Sequence, residues 1–186
     1  KCTVYVETGT GVGEALGHAL KYGFSKYYTI DLDEEKIKDA KKNFTDGSIQ
    51  FENDYSTKAL ERIVPTLEKS EPVLFFLDAH FPDSDFNGVS YEESMRKHIG
   101  QAMPLKQELD IIRSTRDVSN DCFVIDDWKL YDRNHSYQYP EWDGYDIQEE
   151  LGLGNCGAEI IELFKETHES KVSLIHQGFL FLTPID

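Results

Sequence analysis

Apolar positions along this chain follow two different periods in turn. Short runs of β-branched and aromatic residues predict strands at Thr3–Val6, Tyr27–Ile30, Ser48–Phe51, Val73–Leu77 and Cys122–Ile125. Between these runs the apolar residues recur at helical spacing. Ala15, Leu16, Ala19 and Leu20 mark a helix over Glu14–Tyr22, which Gly23 ends. Ile37, Ala40 and Phe44 mark a second, capped by Asp33 or a neighbour, with Lys36, Lys38, Lys41 and Lys42 on its solvated side. A third spans Thr57–Leu67, with Ala59, Leu60, Ile63, Val64 and Leu67 on one face and Pro65 bending or ending it. Helices are also expected over Pro104–Ile112 and Glu159–Phe164. The unbroken apolar run Val73–Leu77 is the pattern of a strand covered on both faces.

Strand and helix alternate for five rounds, which predicts an α/β fold: a doubly wound, mostly parallel sheet with helices on both faces. Two further runs, Lys171–His176 and Phe179–Leu182, flank Gln177-Gly178 and predict a C-terminal antiparallel hairpin with a tight turn, bringing the sheet to seven strands. The irregular stretches Phe81–Gly100 and Lys129–Gly157 both follow strand C-termini, the edge at which open α/β sheets bind ligands. No repeat and no linker interrupts the pattern, so residues 1–186 are expected to form a single domain.

Charge narrows the partners. Asp and Glu number 35 against 19 Lys and Arg, a formal charge of −16, and that field repels phosphate backbones. A nucleic-acid-binding surface is therefore not expected. With 39% hydrophobic and 12% aromatic residues the chain fills a core. No apolar run approaches the roughly 18 residues that span a bilayer. The three cysteines, Cys2, Cys122 and Cys156, are too few and too scattered for a disulfide framework or a cysteine zinc site. A cytoplasmic protein acting on a small molecule, away from membranes, is the expectation.

The chemistry concentrates at strand ends. Glu7-Thr8-Gly9-Thr10-Gly11-Val12-Gly13 lies between the first strand and the first helix, where glycines permit positive φ and a close ligand approach, and the helix N-terminus adds unpaired N–H groups. The spacing is G-x-G-x-G and differs from the G-x-G-x-x-G of dinucleotide sites. Asp31 ends the second strand, where a carboxylate accepts from both hydroxyls of a ribose; helix capping is its other reading, which Asp33 supplies equally. Asp54 follows the third strand. Asp78 and His80 follow the fourth, and Asp126-Asp127 the fifth. Three carboxylates meeting at one edge repel unless protonated or bound to a cation, and oxygen ligands favour Mg²⁺, Ca²⁺ or Mn²⁺. Solvated strand ends and turn caps are the plainer reading of the same residues.

The Glu7-x-Gly9-x-Gly11-x-Gly13 motif, with Asp31 after it and a closing hairpin, resembles the class I S-adenosylmethionine-dependent methyltransferases. The resemblance implies the Rossmann-like methyltransferase fold and S-adenosylmethionine as cofactor. It implies a binding site at Glu7, Thr8, Gly9, Thr10, Gly11 and Gly13, with Asp31 and Leu32 at the ribose and Asp54 and Tyr55 at the adenine. The acidic cluster resembles that of metal-dependent, macrocin O-methyltransferase-like sugar enzymes. That likeness implies a divalent ion such as Mg²⁺ on Asp78, Asp126 and Asp127, with Asp78 and His80 as catalytic residues and His80 as general base or fourth ligand. The two irregular stretches are expected to form the acceptor pocket. Their aromatics, Phe81, Phe86, Tyr91, Trp128, Tyr131, Tyr137, Tyr139, Trp142 and Tyr145, suit a sugar face or a planar substrate, or simply pack the loops down. Methyl transfer to an oxygen of a small acceptor is the leading reading. An oxidoreductase using NAD or a nucleotide-sugar, and a non-catalytic cofactor-binding module, are the competing ones.

Overall fold

The first strand is buried end to end, its Glu7 and Thr8 included, and the sheet is built outward from it. A computed structural model describes residues 1–84, 88–98, 100–132 and 156–185. In chain order the strands are β1 (Val4–Thr8), β2 (Lys26–Asp31), β3 (Ile49–Asn53), β4 (Val73–Leu77), β5 (Cys122–Ile125), β6 (His168–Ser173) and β7 (Phe179–Pro184). The helices are α1 (Glu14–Ala19), α2 (Glu34–Asn43), α3 (Ser56–Ile63), α4 (Tyr91–Lys97), α5 (Leu105–Thr115) and α6 (Cys156–Phe164). The strands form one seven-stranded mixed sheet in the order β3-β2-β1-β4-β5-β7-β6. The expected α/β class, mostly parallel with a C-terminal antiparallel hairpin, is the class observed.

The chain divides into two compact units, Lys1–Asp121 and Cys122–Asp186. In the first, β1 pairs in parallel with β2 on one side and β4 on the other, and β2 pairs in parallel with β3. Every residue of β1 is buried, as sequence alternation alone does not require but a central parallel strand does. On one face Tyr5, Leu16, Ala19, Tyr27 and Ile49 form a cluster, against which Phe24, Phe44, Leu74 and Phe76 pack. Asp33 caps α2, its side chain accepting from the N–H groups of Glu35 and Lys36 and so satisfying the first turn. Pro65 ends the α-helical part of the third helix, and Val64–Thr66 continues as one 3₁₀ turn.

A buried ion pair closes this unit. Arg116 donates from Nε to Asp121 Oδ2 (2.8 Å) and from Nη2 to Oδ1 (3.1 Å), while Asp121 Oδ1 also accepts from the Val73 N–H (2.8 Å). Arg116 Nη2 reaches the Glu71 carbonyl as well (3.0 Å). Asp121 is 0% exposed, and it fixes the entry to β4 to the chain that leaves α5.

In the second unit β7 pairs antiparallel with β5 and with β6. The hairpin connection differs from the tight Gln177-Gly178 turn expected. β6 ends at Ser173 and β7 opens at Phe179, so five residues lie between them, and the loop turns on positive φ at His176 (55°) and Gly178 (87°). Three other boundaries differ. Glu7 and Thr8 belong to β1, because pairing with Thr29 and Ile30 of β2 continues through them. α4 lies inside the stretch read as irregular, with Ser90 capping it through the Glu93 N–H. Trp128–Leu130 forms a 3₁₀ turn directly after the strand end that carries Asp127. Among the described residues no helix is long and apolar enough to cross a membrane.

Candidate cofactor and active site

The glycine turn leaves β1 at the C-terminal edge of the parallel strands and is tied to the strand ends on both sides. Gly9, Gly11 and Gly13 take φ values of 83°, 50° and 81°, which only glycine adopts without strain. The N–H groups of Gly9 and Thr10 donate to the Ile30 carbonyl (2.9 and 3.1 Å). On the other side a Cβ on Gly9 would lie 2.7 Å from the Asp78 carbonyl oxygen, so this glycine is what lets the turn sit against β4. The tip residue Val12 is 64% exposed.

Asp31 is the polar centre of this turn. Its Oδ2 accepts from the Gly11 N–H and its Oδ1 from the Asp33 N–H, both at 2.8 Å. Asp33 caps α2, so capping does not occupy Asp31. Burial raises the Asp31 carboxyl above its ordinary value against the pull of those two N–H donors. Each carboxylate oxygen keeps a lone pair for a further donor, the property a diol needs in a partner. Leu32 follows, and its carbonyl accepts from Asn53 Nδ2 (2.9 Å), which also reaches the Asp31 carbonyl (3.0 Å). Asn53, which the sequence reading passed over, thus staples the ends of β2 and β3.

Glu7 and Thr8 lie behind the turn and do not face outward from it. Glu7 is 0% exposed; Tyr5 donates its hydroxyl to Oε2 (2.7 Å) and Thr29 to Oε1 (2.5 Å), and Thr29 in turn meets Thr10 (2.6 Å). Burial, partly offset by these hydroxyls, pushes the Glu7 carboxyl from its ordinary 4.5 up to about 7. Burial and then the Glu7 carboxylate drive the Tyr5 hydroxyl upward too. A carboxyl raised on folding holds its proton in the native state, so its stability contribution is complete below about pH 4.5 and is lost as pH rises to about 7. Glu7→Gln is therefore expected to gain about 2–3 kcal/mol on the wild type between pH 5 and pH 8. Urea unfolding at both pH values measures this, and equal pH slopes for the two proteins would refute it.

Asp54 and Tyr55 follow β3, with the Asp54 N–H bonded to the Asp31 carbonyl (3.2 Å). Burial works to raise the Asp54 carboxyl, but Arg62 (2.8 Å) and the Tyr55 N–H (2.8 Å) outweigh it and leave it below its ordinary value. Arg62 also binds Glu52 (3.1 Å). The Tyr55 hydroxyl meets His98 Nδ1 at 3.0 Å.

After β4, the Asp78 N–H donates to the Thr8 carbonyl (3.1 Å) and lies near its hydroxyl (3.3 Å). His80 Nε2 stands 3.6 Å from Asp78 Oδ1, with the imidazole mostly buried and the carboxylate about one-third exposed. Beneath them Glu108 of α5 is 1% exposed, near the Ser56 and Thr8 hydroxyls and within the electrostatic reach of His80. Burial pushes it up to about 7. The sequence did carry a signal for Glu108: it interrupts the Leu105, Leu109, Ile112 stripe of α5 on the buried face.

In the second unit Asp127 follows β5 on left-handed backbone (φ 50°), and its N–H donates to Asp126 Oδ1 (2.7 Å). The next two N–H groups, of Trp128 and Lys129, bond to the Gly178 and Gln177 carbonyls (2.9 and 3.0 Å). The hairpin loop thus holds the segment after Asp127 in place. The loop aromatics that are described serve as packing: Phe81, Trp128 and Tyr131 are all buried. Phe86, Tyr137, Tyr139, Trp142 and Tyr145 lie outside the described residues, as does the side chain of Tyr91.

No family model and no curated protein matches this sequence. Solved structures do match in three dimensions. A protein from Staphylococcus aureus described as a caffeoyl-CoA O-methyltransferase superposes with a TM-score of 0.61 at 14% identity, over 98% of this chain and 76% of that one. A protein from Streptococcus mutans described as a methyltransferase, in complex with SAH (S-adenosylhomocysteine), gives 0.57 at 12%, over 98% and 88%. An rRNA methylase from Streptococcus thermophilus gives 0.54 at 12%, over 100% and 88%. The chain has the methyltransferase fold. At such identities the likeness is one of fold, and this methyltransferase fold is shared by proteins whose described acceptors differ, so the site residues must carry any functional reading.

Proposed function

We propose that this protein transfers a methyl group from S-adenosylmethionine to an oxygen of a small-molecule acceptor. The observation that carries the reading is the Gly9–Gly13 turn held against Asp31, whose partly buried carboxylate keeps acceptor capacity at the mouth of the turn. That donor and acceptor set fits a ribose diol: Asp31 accepts from the hydroxyls, and the positive-φ glycines leave no side chain in the way. The segment Asp54-Tyr55 borders the same turn through the bond to Asp31 and offers the adenine side. The SAH complex of a structural neighbour, and the O-methyltransferase description of another, support the reading.

The cofactor supplies an electrophilic methyl on sulfur, and the protein's part is mostly to hold the acceptor oxygen in line with it. In this reading His80, mostly buried beside Asp78, takes the proton from the acceptor hydroxyl. Asp78, Asp126 and Asp127 are hard oxygen donors that suit a divalent ion such as Mg²⁺, which would lower the pKa of a hydroxyl it bound. The charge of −16 favours a small acceptor over a nucleic acid.

Calorimetric titration with SAH, S-adenosylmethionine and NAD tests the cofactor. Binding of the first two is expected, and Asp31→Asn should weaken it roughly tenfold or more, the effect of losing a charged acceptor. Binding of NAD alone overturns the proposal. In a second arm, Mg²⁺ should raise the melting temperature of the wild type. The Asp126→Asn, Asp127→Asn double variant should lose that rise, and an unchanged rise removes the metal from the reading.

A further inference from the structure

Between the loop after β3 and the loop after β4 runs a polar chain that the proposed reaction does not use. Tyr55 meets His98 Nδ1 at 3.0 Å, and His98 Nε2 meets Asp83 Oδ2 at 3.3 Å. Both imidazole nitrogens are thereby engaged on a buried ring, which fixes its orientation. Asp83 also binds Lys97, and the Lys97 and His98 contacts hold its carboxyl below its ordinary value. The backbone around Asp83 is strained, with φ of 35° at Phe81 and 70° at Asp83. Strain of this kind persists where neighbours over-determine it. Here the Phe81 N–H bonds to the Ala102 carbonyl (2.7 Å), and the buried Ser94 hydroxyl donates to the Pro82 carbonyl (2.6 Å). α4 and the turn after it therefore hold Asp83, Asp83 holds His98, and His98 holds the hydroxyl of Tyr55. On the other side of Tyr55 the Lys58 ammonium lies 5.2 Å from the ring centroid.

We propose that His98, set by Asp83, is a positioning residue for Tyr55, and that Tyr55 meets the cofactor's adenine as a fixed ring with its hydroxyl already committed. This rests on the cofactor reading above and adds to it a residue from a different part of the chain. It also joins the cofactor side of the site to the loop that carries Asp78 and His80, because Asp83 belongs to that loop. A second tie, Thr57 Oγ1 donating to Gln101 Oε1 (2.8 Å), joins the same two regions independently of His98. A His98 variant therefore retains a link between them, and the thermal melts report whether it folds as the wild type does.

The test is SAH titration, with thermal melts alongside, for Tyr55→Phe, His98→Leu, the double variant and His98→Asn. Each of the first two is expected to weaken SAH binding roughly three- to tenfold, the range of one net hydrogen bond, and the double variant by no more than either alone. His98→Asn keeps a polar atom near the Nδ1 position and should recover most of the affinity, whereas a residue needed only for packing gains nothing from that exchange. Additive losses in the double variant, or failure of Asn to improve on Leu, overturn the proposal. If the wild type binds SAH and all four variants bind it equally, the positioning role alone falls. If the wild type binds none, the cofactor reading falls and takes this with it.

Discussion

Asp121→Asn is expected to cost about 3–5 kcal/mol, the usual loss when one partner of a buried ion pair is removed. Asp121 is wholly buried and takes both the Nε and Nη2 donors of Arg116 as well as the Val73 N–H. The amide would oppose an N–H₂ group to the guanidinium fork and leave a buried positive charge without its counter-charge. At roughly 2–4 °C per kcal/mol for a chain of this length, the melting temperature should fall by about 10 °C. A fall of less than 2 °C, on the order of one exposed pair, would show that water reaches the site. The Val73 N–H lies at the entry to β4, so hydrogen exchange should quicken first along Val73–Leu77.

A second large effect is expected at Gly9. An alanine there would adopt φ near 83°, at roughly 1–2 kcal/mol, and would also place its Cβ 2.7 Å from the Asp78 carbonyl oxygen. That contact is with backbone tied to the paired ends of β1 and β4, which yields only by shifting those ends apart, so about 3 kcal/mol in all is expected. Gly23 provides the control, with φ of 69° and nothing within 4 Å of its notional Cβ. Gly23→Ala should cost about 1 kcal/mol, the conformational part alone. Equal melting temperatures for the two variants would mean that the close approach of the turn to β4 does not constrain it.

These residues show where sequence patterning succeeds and where it stops. β4 and β5 were legible to the residue, Val73–Leu77 and Cys122–Ile125, because their apolar runs end sharply at polar neighbours. Asp33 was legible as a cap and Pro65 as a helix stop, both being local effects. The end of β1 was not, since only pairing to β2 and β4 carries the strand through Glu7 and Thr8. α4 escaped because it is seven residues long and opens on polar side chains. Within the candidate site the glycine turn and Asp31 could be picked out, as their chemistry is concentrated in a few consecutive residues. Asn53 and His98 could not: each acts on a partner from another element, 22 and 43 positions away for Asp31 and Tyr55. Glu108 shows in the sequence only as a break in an apolar stripe, and its neighbour Thr8 lies 100 positions away. Arg116 and Asp121 likewise look in sequence like members of an ordinary solvated turn.

The outermost strands of the sheet, β3 and β6, bear on a different property, the behaviour of this protein at high concentration. β6 exposes Glu169, Ser170 and Lys171 in succession, and β3 ends on Gln50, Glu52 and Asn53 with no more than partial cover. A second chain adding its own strand to either margin would have to strip water from these polar and charged side chains. Among the described residues, both margins of the sheet are therefore poor templates for fibrous assembly.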